Sequence, residues 1–118
     1  KNFIKKISTR INRLSNISLS KQTLKNDLSQ SNYLLFSSSA IAITGLSYNV
    51  LPLYFLEKYS TNFFDRNFPK KYIVKNYKHL NLILKNKKRS NLPSYFRNYR
   101  ENYFEKYNIL ILKKILKK

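Results

Sequence analysis

The chain contains no cysteine, no methionine and no tryptophan, and its 118 residues include one glycine, one histidine, three prolines and five acidic side chains. Each shortage removes a class of function. Without cysteine there is no disulfide framework, no thiolate zinc site and no thiol nucleophile. His79 and five scattered carboxylates offer no spacing that pairs a general base with a nucleophile. The chain is therefore read as a non-enzyme with no catalytic residues. The same side chains cannot surround a metal ion, and no metal or other cofactor is expected. Gly45 stands alone, which excludes a glycine-rich loop around a nucleotide's phosphates. Zinc-finger spacing, the glycine-bearing core of the RNA-recognition motif and a heptad zipper beside a basic region are all missing.

What the chain has is positive charge. Its 24 Lys and Arg against five acids give a net charge of +19. Self-repulsion on that scale opposes compaction and points to a polyanionic partner in the working state. Composition explains part of it. Phe, Tyr, Ile, Asn and Lys, the residues of AT-rich codons, fill 62 of 118 positions, and Lys outnumbers Arg 18 to 6. Codon bias does not remove acids, however, because Asp and Glu codons are only moderately GC-rich. The scarcity of acids makes the charge a property of the surface.

That charge is unevenly spread. Residues 1–30 carry +6, residues 31–65 carry −1 and residues 66–118 carry +14. We read residues 1–118 as a single domain in three parts: a basic amphipathic arm over 1–30, an uncharged apolar centre over 31–65, and a basic, aromatic-rich helical region over 66–118. There is no internal repeat and no Gly/Ser linker.

In the arm, Ile4, Ile7, Ile11 and Leu14 recur at the spacing of one helix face, flanked by Lys5, Lys6, Arg10 and Arg13. Ser18 or Ser20 is the expected cap of a second helix through Leu24 and Leu28. The arm is acid-poor and bears Ser and Lys like a transit peptide, yet is expected to belong to the mature chain. The centre has no charged residue from Leu28 to Leu56. It is read either as a buried core, with a helix to Gly45 and a Pro-broken segment after it, or as one membrane span within 33–56. In the third part, Pro69 is expected to open a helix whose face holds Ile73, Tyr77, Leu80 and Leu84. After a turn at Asn91–Pro93, Ser94 is the expected N-cap of a closing helix. Its apolar stripe would be Phe96, Tyr99, Tyr103, Tyr107, Leu110 and Ile111, with Tyr95 off the stripe. The expected fold is thus all-α, a small helical domain of four to five helices with extended basic termini.

Lysine and arginine interleaved with tyrosine and phenylalanine suit RNA, the cations for phosphates and the rings for unpaired bases. The candidate RNA-binding residues begin with Lys5, Lys6, Arg10 and Arg13 in the arm. They continue with Lys70, Lys71, Lys75 and Lys78, then Lys85, Lys87, Lys88 and Arg89. Tyr95, Arg97 and Arg100 follow, and Lys113, Lys114, Lys117 and Lys118 close the set. The segment 85–100, KNKKRSNLPSYFRNYR, places six cations and three rings in sixteen positions without an acid.

In composition, taken over its whole length, the chain resembles the ribosomal proteins that mitochondria with very AT-rich genomes encode for themselves. The likeness carries no motif and assigns no residue a role. It implies a structural constituent of a mitochondrial matrix ribosome, whose partners are ribosomal RNA and neighbouring ribosomal proteins. The rival expectation is an accessory inner-membrane subunit of a respiratory complex or ATP synthase. Its span would lie within 33–56, its flanks would meet anionic membrane lipid, and its partners would be the other subunits of that complex. Neither reading involves a small-molecule substrate.

Overall fold

A computed structural model describes residues 5–6, 9–10, 13–85, 91–104 and 114–116. The chain divides into two compact units, Lys1–Ser31 and Asn32–Lys118.

In the first unit Lys5, Lys6, Thr9 and Arg10 are helical. The Thr9 hydroxyl donates to the Lys5 carbonyl at 2.8 Å, one helical turn back. Ile4, Ile7 and Ile11 lie outside the described residues, and Leu14 is half exposed. Helix α1 spans Leu24–Gln30. Thr23, not Ser18 or Ser20, is its cap, accepting from the Asn26 N–H at 3.3 Å. Ser20 instead donates to the Asp27 carboxylate at 2.6 Å, fixing an acid in the first turn where the helix dipole favours it.

The second unit overturns the all-α expectation. It is built on a three-stranded parallel sheet, ordered β1-β2-β3, with β1 at Tyr33–Phe36, β2 at Leu51–Phe55 and β3 at Ile73–Val74. The helix α2, Ile41–Leu46, carries the chain from β1 back to the start of β2. The uncharged centre is therefore strand, helix and strand. Among the described residues no helix is long and apolar enough to cross a membrane.

The central strand shows why the periodicity misled. Leu51, Pro52, Leu53 and Tyr54 are all buried. A parallel strand covered on both faces reads as an unbroken apolar run, without the alternation that marks a half-exposed strand. Pro52 is tolerated by geometry. The Leu51 N–H bonds the Asn32 carbonyl at 3.0 Å on the β1 side, so position 52 faces the opposite side. There β3 begins only opposite Tyr54, and no ladder bond is lost.

Between β2 and β3 lie seventeen residues that end in a 3₁₀ turn, Lys70–Tyr72. Pro69 caps that turn, Ile73 belongs to β3, and the expected helix over this stretch starts only at Tyr77. This long connection is held by two rings. Phe64 and Phe68 are buried against Phe36, with centroids at 5.9 and 6.4 Å, and against each other at 5.2 Å.

Helix α3, Tyr77–Leu84, is capped by Asn76, whose side chain accepts from the His79 N–H at 2.9 Å. Leu80 and Ile83 pack against the core, while Tyr77 and Leu82 are exposed. Helix α4, Ser94–Tyr103, is capped by Pro93 with no side-chain bond, so Ser94 is its first residue and not its cap. Phe96 is fully buried and meets Phe64, Phe68, Tyr72 and Tyr95 at 5.1–6.0 Å. Tyr95 and Tyr99 flank it against the core, so Tyr95 lies on the stripe and not off it, while Tyr103 is exposed. Tyr107, Leu110 and Ile111 lie outside the described residues.

Phe96 joins helix, loop and turn, so Phe96→Ala is expected to cost about 3–5 kcal/mol. Tyr59→Ala, at a ring 85% exposed, should stay within about 0.5 kcal/mol. Urea unfolding of both variants checks the pair. A loss below about 1 kcal/mol at Phe96 would contradict this packing.

Candidate nucleic-acid interface

Four of the expected RNA contacts come together in the first unit. Lys5, Lys6, Arg10 and Arg13, with Thr9 among them, line one cavity of about 440 Å³. Helix pitch does this. Lys5 and Thr9, and Lys6 and Arg10, are four apart, so their side chains rise along one face, while Arg13 stands in a turn where its N–H bonds the Arg10 carbonyl at 3.3 Å. Thr9 was not among the expected contacts, although its place midway between Lys5 and Arg13 marks it in the sequence. No acid lines the cavity among the described residues. Asp27, the one acid of this unit, is engaged by Ser20 at 2.6 Å. Like charges a turn apart destabilise a helix by roughly 0.2–0.5 kcal/mol per pair. A row of phosphates would reverse that sign.

In the second unit the described cations stand on separate elements. Lys70 and Lys71 lie in the 3₁₀ turn, and Lys71 Nζ sits 5.1 Å from the centre of the Tyr72 ring. Lys75 follows β3, Lys78 is in the first turn of α3 and Lys85 ends that helix; all are exposed. Arg97 is exposed on α4. Arg100 is partly buried, lining a second cavity of about 550 Å³ with Ser47, Glu101 and Phe104. Sequence reasoning placed only Arg100 of these four in a site and read Glu101 as the i, i+4 partner of Arg97, because Ser47 and α4 meet through the tertiary fold alone. Lys114 is helical and exposed. Lys87, Lys88, Arg89, Lys113, Lys117 and Lys118 lie outside the described residues.

Tyr95, the expected base-stacking ring, is occupied within the fold. Its hydroxyl donates to Asp65 Oδ1 at 2.8 Å, and its ring packs on Phe68, Phe96 and Tyr99 at 5.1–6.1 Å. Burial, that hydrogen bond and the Asp65 charge all hold its phenol well above the ordinary tyrosine range. Burial and the charge of Asp65 push Tyr99 up as well.

Parallel sheets often hold ligands beyond the carboxyl ends of their strands. Here those positions bind one another. Ser37 donates to Glu57 at 3.3 Å and Ser38 accepts from the Thr61 N–H at 2.7 Å. Ser60 donates to the Glu57 carbonyl at 2.9 Å, so the Tyr54 hydroxyl is the donor in its 2.6 Å bond to Ser60. Among the described residues no three His, Cys, Asp or Glu side chains gather as metal ligands. Fold and surface define a small parallel α/β unit joined to a separate cationic unit. No protein-family model, curated protein or solved structure matches the chain.

The Tyr95–Asp65 bond carries a pH signature. A phenol raised on folding contributes stability that is complete below the ordinary value near pH 10 and lost as pH rises through the folded value. Asp65 is exposed, so Tyr95→Phe should cost about 1 kcal/mol at pH 7. Above about pH 10 the gap between wild type and variant should shrink as the wild type loses its advantage. Urea midpoints from pH 7 to 11 measure it. A constant gap would show that the bond plays no such part.

Proposed function

We propose that this chain is a structural, non-catalytic RNA-binding constituent of a mitochondrial ribosome. It grips ribosomal RNA through phosphates and packs against neighbouring ribosomal proteins. The observation that carries the proposal is the cavity of Lys5, Lys6, Arg10 and Arg13, where four cations share one hollow with no acid among the described residues that line it. A phosphate backbone is the polyanion whose repeating charge suits such a row, and the released counterions drive its binding. Exposed Lys70, Lys71, Lys75, Lys78 and Lys85 extend the positive surface of the second unit. Contact is chiefly to the sugar–phosphate backbone, because Tyr95 and Tyr99 are engaged with the core. Such contacts position a protein on RNA without reading its sequence.

The full chain should bind ribosomal RNA tightly at low salt and weakly at physiological salt. Replacing Lys5, Lys6, Arg10 and Arg13 together by Gln should reduce the slope of log K against log salt by about 3, four phosphate contacts at about 0.7 each. Fluorescence anisotropy with a labelled ribosomal RNA fragment, over about 50–200 mM salt, reads this slope directly. Co-sedimentation of the native chain with mitochondrial ribosomes tests the assembly. Absence of RNA affinity at low salt, or release with the membrane fraction, would end the proposal.

A further inference from the structure

The second cavity differs from the first in its chemistry. It lies between the end of α2, at Ser47, and the last turn of α4, at Arg100, Glu101 and Phe104. Its volume of about 550 Å³ is in the range that takes one small ligand. Glu101 is one of only two acids among residues 66–118, against sixteen cations. A carboxylate repels phosphate, so its presence here marks a site for something other than backbone charge.

The rings that lead up to Phe104 add a second observation. Along α4 the rings of Tyr95, Tyr99 and Tyr103 follow one another at 6.1 and 5.9 Å, the second pair stacked within 12° of parallel. Phe104 closes this ladder, its ring 5.0 Å from Tyr103 and edge-on to it. Phe104 is 38% exposed and lines the cavity. A flat face therefore stands beside a carboxylate, a guanidinium and a hydroxyl.

We infer that this cavity binds the base of an unpaired guanine nucleotide. The inference rests on the RNA reading above for the source of that nucleotide. The four bases differ on their Watson–Crick edges. Guanine alone presents two adjacent donors, N1–H and the N2 amino group, which the two oxygens of Glu101 can accept together. Adenine and cytosine place an acceptor next to their amino group, and uracil flanks its one donor with acceptors; each would meet the carboxylate with a repulsive contact. Phe104 supplies the stacking surface that holds an unpaired base out of the RNA. Arg100 donates to guanine O6, the acceptor beside N1–H, and Ser47 bonds the sugar or base rim.

The test titrates the full chain with GMP, AMP, CMP and UMP by calorimetry, apart from any RNA measurement. GMP should bind about tenfold more tightly than the other three. Glu101→Gln, which keeps the shape and replaces one acceptor with a donor, should abolish that preference with the fold intact by circular dichroism. Phe104→Ala should weaken all four nucleotides about tenfold. Equal binding of the four, no saturable GMP binding, or a preference that survives Glu101→Gln would overturn the inference. Those results leave the salt-dependent RNA binding of the first cavity untouched. A GMP preference in a chain without RNA affinity would support the pocket, make free nucleotide its ligand and remove only the ribosomal reading.

Discussion

The second unit depends on the packing of rings around Phe96. A three-stranded sheet whose last strand has two residues is too small to be stable alone, and a small chain has little interior from which to gain. Aromatic side chains are the efficient remedy, because each buries 150–250 Å² on roughly two rotatable bonds. Phe36 and Tyr54 extend from neighbouring strands, Phe64 and Phe68 from the long connection, Tyr72 from the 3₁₀ turn and Phe96 from α4. Tilted and edge-on contacts at 5.2–6.4 Å join them into one cluster. The connection from 56 to 69 has no helix or strand of its own, and Phe64 and Phe68, with hydrogen bonds at Ser60, Thr61 and Asp65, give it a fixed course.

This use of the rings decides how the surface works. Tyrosine and phenylalanine spent on the interior are withdrawn from base stacking, while Tyr59, Tyr77 and Tyr103 stay exposed beside the cations. Among the described residues no charged or other polar side chain is buried. A surface of exposed lysines attracts phosphate at a range of about 10 Å in 0.1 M salt, and it does so without sequence preference. The cavity beside Phe104 differs, since there an acid, a cation and a partly exposed ring line one space.

Legibility in the sequence followed the range of the interaction. Lys5, Lys6, Arg10 and Arg13 were picked out as a set because positions three and four apart share a helix side, although the cavity they line was not foreseen. The caps were less so, since Ser18, Ser20 and Thr23 all carry hydroxyls and only backbone geometry selects Thr23. The sheet was hidden for a different reason. YLLF and LPLYF are too short and too uniformly apolar to display a period, and their pairing spans eighteen residues that local pattern cannot see. Tyr95 was misjudged in the same way: its hydrogen-bond partner, Asp65, lies thirty residues away. Phe104 and Ser47 became neighbours only through the contact of α2 with α4.

The shortage of glycine leaves its own mark on the turns. Ser38 and Asn49, at φ 53° and 59°, bracket α2 in the left-handed region where glycine is the usual choice. Gly45, the one glycine, occupies neither position; it is buried within α2. The chain holds fifteen asparagines and thirteen serines against its one glycine. Asparagine tolerates this conformation at low cost, which suits Asn49. Serine needs help, and the fold provides it, since the Ser38 hydroxyl accepts from the Thr61 N–H at 2.7 Å. That bond also ties the end of β1 to the start of the long connection. The constraint that denied the turn a glycine thus became a contact that orders the loop carrying Phe64 and Phe68 to the core.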